Sequence, residues 1–168
     1  LVGVLLGIFA TAMVHSSAAT VALVMVLGTT GMIDFHTAIY LTLGDNIGTC
    51  ITAQLAAMTG NIYARRTAWC HTLYNLAGVL IMLMIVPQAA RAIEAITYSM
   101  APNAGMDVLI ANTHTLFNVA SAVVFMPFTK QFVNLLERLV KPKEVWEVDD
   151  DSRVLDKLLL NTPLAAVQ

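Results

Sequence analysis

The sequence predicts an all-α membrane protein built from a re-entrant helical hairpin, a discontinuous helix and two full transmembrane helices. Three observations carry that expectation. Only 12% of the 168 residues are charged while 58% are hydrophobic, and a soluble chain of this length needs more charge to cover its surface. The apolar residues fall into four stretches, 1–31, 34–60, 67–86 and 108–129. The first two of these carry polar interruptions at their centres, "HSS" (15–17) and "GDNIGT" (44–49), and the last two do not.

Residues 1–31 are taken first. The limb Leu1–Val14 would be about 21 Å long as a helix, too short for roughly 30 Å of hydrocarbon. Ala18–Gly31 is equally short. One 31-residue tilted helix would bury the polar triplet without partners. Two half-length helices meeting at a polar tip avoid both difficulties, because irregular backbone at membrane depth is tolerated where it lines a protein cavity. The hairpin is therefore assigned to 1–31.

In 34–60, Gly44 and Gly48 bracket Asp45 and Asn46, and glycine is the residue that lets a helix unwind. The pieces 34–43 and 49–60 are each about half a bilayer long. A broken helix with free carbonyls at mid-membrane is a means by which transporters hold cations. An intramembrane carboxylate such as Asp45 is costly and points to function. The alternative is a surface turn between two short helices, which would leave neither piece able to span.

The third and fourth stretches are ordinary spans, extending to about 64–98 and 105–140. Arg65 and Arg66 precede the third, and Lys130, Arg138, Lys141 and Lys143 follow the fourth. Two antiparallel spans put both clusters on one side, which is cytoplasmic by the positive-inside rule. The connection 87–106, with Arg91 as its one basic residue, then lies outside, and the hairpin opens from the outer side. The membrane unit is thus residues 1–140 of a multi-pass cell-membrane protein. Residues 141–168 form a cytoplasmic tail, with an acidic linker "EVWEVDDDSR" and leucines at helical spacing after it. The chain starts without methionine and stops inside that amphipathic run, so it reads as a piece of a longer protein.

Other signals are weaker. "HTLYN" (71–75) recurs as "HTLFN" (114–118). His and Asn at i and i+4 share a helix face, so the two copies could face one another, either as interhelical hydrogen-bond glue or in ion passage. Cys50 and Cys70 lie in apolar segments without metal spacing and read as small buried hydrophobes. For Thr11, Thr29, Thr30 and Thr52 the expectation is a local bond back to the preceding turn. A net charge of −2 and the absence of a basic aromatic stripe give no support to nucleic-acid binding.

Together, "TAMVHSSAAT", "AIYLTLGDNIGTCITAQLA", "ARRTAWCHTLYN" and "NTHTLFNVASAVVFMPF" resemble the type II sodium–phosphate cotransporters, especially their bacterial branch. The resemblance runs over roughly residues 1–165. It implies a second inverted repeat followed by the onset of a PhoU-like helical region. It also implies a carrier rather than an enzyme, coupling Na⁺ to inorganic phosphate by alternating access with no other cofactor. The family's Q-S-S motif falls on His15, Ser16 and Ser17, with Thr20 in the following turn. Its G-x-N-I-G-T motif falls on Gly44, Asn46, Gly48 and Thr49. This chain departs at His15, where glutamine is usual, at Ala18, and at Asp45 and Cys50. Phosphate is expected at His15, Ser16, Ser17 and Thr20, on the positive N-terminus of the second limb. Na⁺ is expected at Asp45, Asn46, Thr49 and Ser17, since hard cations prefer oxygen. The implied partners are the bilayer and the other inverted repeat, from the same longer chain or a second copy, with a homodimer expected. The rival is a membrane anchor or sensor for a cytoplasmic phosphate-signalling domain.

Overall fold

A computed structural model describes residues 1–142; the acidic linker and leucine run of the tail lie outside the described residues. Those described form seven α-helices and no strand. Helices α1 (Val2–Val14) and α2 (Ser17–Thr29) are separated by His15 and Ser16 alone. His15 takes the left-handed conformation (φ 56°, ψ 24°) and its N–H bonds to the Thr11 carbonyl. Ser16 is extended and caps α2 by accepting the Ala19 N–H at 3.3 Å. A left-handed residue followed by an extended one reverses the chain, so the polar "HSS" triplet is a helix–helix turn.

Helix α3 (Phe35–Ala57) departs from the sequence expectation. It is one continuous helix through Gly44–Thr49, not two pieces about a break. The polar residues there bond to their own helix: Asn46 Nδ2 to the Thr42 carbonyl at 2.9 Å, Thr49 Oγ1 to the Asp45 carbonyl at 2.9 Å. The glycines serve close approach instead of unwinding. A Cβ on Gly44 would strike the Val4 carbonyl and lie 2.9 Å from Gly7 Cα. One on Gly48 would lie 2.8 Å from both the Ile8 carbonyl and Thr11 Cβ, and one on Gly3 2.9 Å from Tyr40 Cβ. Paired small residues four apart are the pattern that lets two membrane helices touch backbone to backbone. The pairing of Gly3 with Tyr40, Gly7 with Gly44 and Thr11 with Gly48 makes α1 run parallel to α3.

Helix α2 returns in the opposite sense. Val24 clusters with Ala38 and Ile110, and Gly28 abuts Met106 and Ile110. Its end is joined to α3 by a short loop containing Gly31 (φ 74°), and Asp34 caps α3 by accepting the Thr37 N–H at 2.8 Å.

The third span also differs from expectation. Helix α4 (Ile62–Met84) stops at Ile85, and α5 (Val86–Met100) begins with Pro87 in its first turn. Proline lacks an N–H and clashes with the preceding turn, so it ends one helix and can open the next. The supposed 87–106 connection is therefore largely helical, with Val86, Ala90, Ile93 and Thr97 buried. Helix α6 (Met106–Phe125) passes through a 3₁₀ turn at Met126–Phe128, containing Pro127, into α7 (Thr129–Leu139). Two helical runs, Ile62–Met84 and Met106–Leu139, are long and apolar enough to cross a membrane.

Arg66 fixes the relative sense of these runs. Its Nε donates to the Val140 carbonyl at 3.2 Å and its Nη1 lies 3.4 Å from Glu137. Farther along, Tyr74 meets Phe125 edge-on at 5.3 Å and Gly78 faces Ser121 and Phe117. Helix α4 is thus antiparallel to α6–α7, and both basic clusters share one end. The core between α3 and α4–α6 is apolar, built on Phe35, Ile39, Leu43, Val79, Leu109 and Phe117.

Candidate functional site

The predicted site residues divide between two levels of the bundle. At the turn, His15 is exposed and its Nδ1 lies 3.4 Å from Thr52 Oγ1. Ser16 and Ser17 are half-buried beside it, at the start of α2. The first N–H groups of a helix have no partners within it, and its dipole is positive there. Because α1 lies alongside α3 from Tyr40 to Thr52, the turn reaches deep along α3, within about 8 Å of its last residue.

Thr20 is not at this level. It is buried, and its hydroxyl lies 3.2 Å from the Ser16 carbonyl and 3.1 Å from Thr11 Oγ1. Thr11 in turn donates to Asp45 Oδ1 at 2.8 Å. Asp45 is 0% exposed, and His114 Nε2 on α6 lies 3.7 Å from its Oδ2. Among the described residues, Asp45 Oδ2 is the buried side-chain oxygen left without a hydrogen-bond partner. Helices α1, α2, α3 and α6 each place one side chain around this point. Asn46 and Thr49 flank Asp45 on α3, but Asn46 Nδ2 and Thr49 Oγ1 donate to α3's own carbonyls. Ser17 stays with the turn, one helical turn from Thr20.

Two members of the interior cluster were missed by sequence reasoning. Thr11, expected to bond back to its own helix, reaches Asp45 instead, whereas Thr29 and Thr30 do bond back to the preceding turn. The available signal was symmetry: Thr11 stands four residues before His15 and Thr20 four after Ser16. A hairpin with its turn at 15–16 must bring these two together. His114 is expected from the sequence only as a possible partner of its echo, either as hydrogen-bond glue or in ion passage. In each copy, Asn donates to the His carbonyl one turn back, Asn75 to His71 at 3.0 Å and Asn118 to His114 at 2.8 Å. Both copies then serve α3. The His114 ring approaches Asp45, the His71 carbonyl accepts Cys50 Sγ at 3.7 Å, and Thr72 accepts Gln54 Nε2 at 2.8 Å. Cys50 and Cys70 are both free thiols, Cys50 buried. A groove of about 360 Å³ between α4, α5 and α6 is lined by apolar groups such as Ile81, Met82, Ile93 and Phe117 and offers an ion little.

The chain's relatives bear on what this arrangement serves. The family model described as Na⁺/Pi-cotransporter matches residues 1–111. The chain belongs to the Na⁺/Pi-cotransporter family. It is 35% identical over 139 residues to the uncharacterized protein YqeW of Bacillus subtilis (strain 168), covering 83% of this chain and 43% of that protein. It is 27% identical over 167 residues to the putative inorganic phosphate export protein YjbB of Escherichia coli (strain K12), covering 99% of this chain and 30% of that one. The sodium-dependent phosphate transport protein 2C of Mus musculus is 37% identical over 86 residues, 49% of this chain and 14% of the mouse protein. The chain spans less than half the length of these curated relatives. No solved structure matches it.

Proposed function

We propose that this chain carries one half of a sodium-coupled phosphate symporter that works by alternating access. The observation that carries this reading is the His15–Ser17 turn, a serine-lined helix N-terminus set deep beside α3 in a chain of this family. The limbs of the hairpin have 13 residues each, about 20 Å of helix, so they enter a bilayer of roughly 30 Å and return without crossing. At the turn, the first N–H groups of α2 face an oxyanion. Ser16 accepts from Ala19, which leaves its own proton for a ligand, and Ser17 and His15 add donors. Thr20 acts one turn deeper and not on the phosphate.

Na⁺ is coordinated from α3, with Asp45 as the charged ligand and Asn46 and Thr49 beside it, Ser17 linking the two levels. Helix α3 is continuous here, so it offers side-chain oxygens and no freed carbonyls in this conformation. The second half of the site comes from the other inverted repeat, in a longer chain or a second copy. Arg65, Arg66, Lys130 and Arg138 mark the cytoplasmic end. The relatives' names support phosphate as the substrate, and the mouse protein's name supports sodium.

The test is radiolabelled phosphate accumulation in proteoliposomes under an inward Na⁺ gradient. Accumulation should be saturable and should vanish when K⁺ replaces Na⁺. Ser16→Ala with Ser17→Ala should raise the phosphate concentration for half-maximal rate about tenfold or more, the loss of roughly one charge-assisted hydrogen bond. Equal accumulation in K⁺ refutes the coupling.

A further inference from the structure

We propose that Thr11, Thr20 and Asp45 form a site for a dehydrated Na⁺ inside the helix bundle, one turn below the phosphate turn. The proposal rests on the sodium-coupled reading above and adds to it two ligands, Thr11 and Thr20, that neither motif contains.

The geometry points there for four reasons. Asp45 is 0% exposed, and an isolated buried carboxylate is strongly disfavoured without a counter-charge or full hydrogen bonding. Its Oδ1 is satisfied by Thr11 at 2.8 Å, but its Oδ2 has no hydrogen-bond partner, so the group is chemically unfinished. Oxygens from three chain segments lead away from it in an unbroken row: Thr11 Oγ1 at 2.8 Å from Asp45 Oδ1, Thr20 Oγ1 at 3.1 Å from that, and the Ser16 carbonyl 3.2 Å farther on. Carboxylate, hydroxyl and carbonyl oxygens are the donors a hard cation takes, and a soft metal is not served by them. Finally, Thr11 lies in the last turn of α1, whose dipole is negative there and favours a cation. His114 Nε2, 3.7 Å from Oδ2, closes the side facing α6.

The same two helices thus present opposite ends to opposite charges. The N-terminus of α2 faces phosphate, and the C-terminal turn of α1 faces Na⁺. Ser16 belongs to both levels, with its side chain capping the anion end and its carbonyl holding Thr20. A cation that gathers Thr11, Thr20 and the Ser16 carbonyl fixes the orientation of Ser16. Each ion thereby raises the affinity for the other by the same factor.

The test uses the purified protein, with thermal midpoint followed against NaCl at constant ionic strength in choline chloride. A ligand that binds only the folded state raises the midpoint in a saturable way. Wild type should show that rise with Na⁺ and not with choline. Asp45→Asn should abolish it. Thr11→Val and Thr20→Val, which keep shape and remove an oxygen, should each move the half-saturating Na⁺ concentration at least tenfold. Thr30→Val, a control at the far end of α2, should leave it in place. An unchanged half-saturation in both threonine variants overturns the site, as does a wild-type midpoint that ignores Na⁺. Vesicle uptake separates the two proposals. Sodium-dependent uptake with unmoved Thr variants removes this site and leaves the symporter. Sodium-indifferent uptake with a Na⁺ response that the Thr variants shift removes the coupling and leaves the site.

Discussion

His15 holds the one left-handed backbone conformation of any non-glycine residue among those described. Such a conformation costs an ordinary side chain about 1–2 kcal/mol, which the hairpin must recover through the contacts its turn makes possible. The ring stands exposed at the turn against Thr52, where the family motif has glutamine. Imidazole can carry a proton's charge and an amide cannot, so His15→Gln should flatten the pH dependence of phosphate uptake while preserving transport. A pH profile that is unchanged in the variant would take the ring out of contact with phosphate. Asp34, which caps the start of α3, offers a test against pH. Its hydrogen bonds to Thr37 hold the carboxyl below its ordinary value of 3.8. A depressed carboxylate contributes stability above its unfolded-state value and loses it as pH falls through the folded one. Asp34→Ala should therefore lower the thermal midpoint at neutral pH, and the difference from wild type should close as the pH is taken below about 4. A gap that persists in acid would assign the loss to something other than the charged cap.

Glycine placement decides the behaviour of the elements. Gly44 and Gly48 were legible in the sequence as special, but not for which reason, because unwinding and close packing both demand a missing Cβ. The partner decides, and the partner lies some forty residues away in α1. The same ambiguity hid the helix after Pro87, since proline ends and begins helices alike. The paired limbs of the hairpin were legible because length alone excluded a span. The sign of one substitution separates the two uses of Gly44. Were it a hinge, Gly44→Ala would stiffen α3 and gain up to about 1 kcal/mol of helix propensity. Because an added methyl would strike the Val4 carbonyl and crowd Gly7, we expect a loss of about 1–3 kcal/mol instead. Thermal unfolding in detergent reads the sign directly, and a stabilised variant would restore the broken-helix reading.

At the scale of the molecule, charge and contact give the same polarity by independent routes. The basic residues assign Arg65–Arg66 and Lys130–Arg138 to one side by composition. The Arg66 bonds to Glu137 and Val140 bring those two regions together in space. A partly exposed ion pair of this kind adds little stability, and its value lies in what it says about direction. Helix α3 then runs from the opposite end, where the turn before Asp34 meets the start of α6, towards the basic end. The hairpin enters beside the start of α3 and stops at Thr52, short of the basic end. This arrangement makes a topological prediction for a chain with Cys50 and Cys70 replaced. In right-side-out vesicles, an impermeant maleimide should label Asp34→Cys from outside, and Arg65→Cys and Lys130→Cys only after permeabilisation. His15→Cys should label from the cytoplasmic side, through the shorter path, and Na⁺ with phosphate together should slow that reaction severalfold. Labelling of positions 34 and 65 from the same face would mean that α3 does not cross. The re-entrant assignment would fall with it, because the hairpin's depth is measured against that helix.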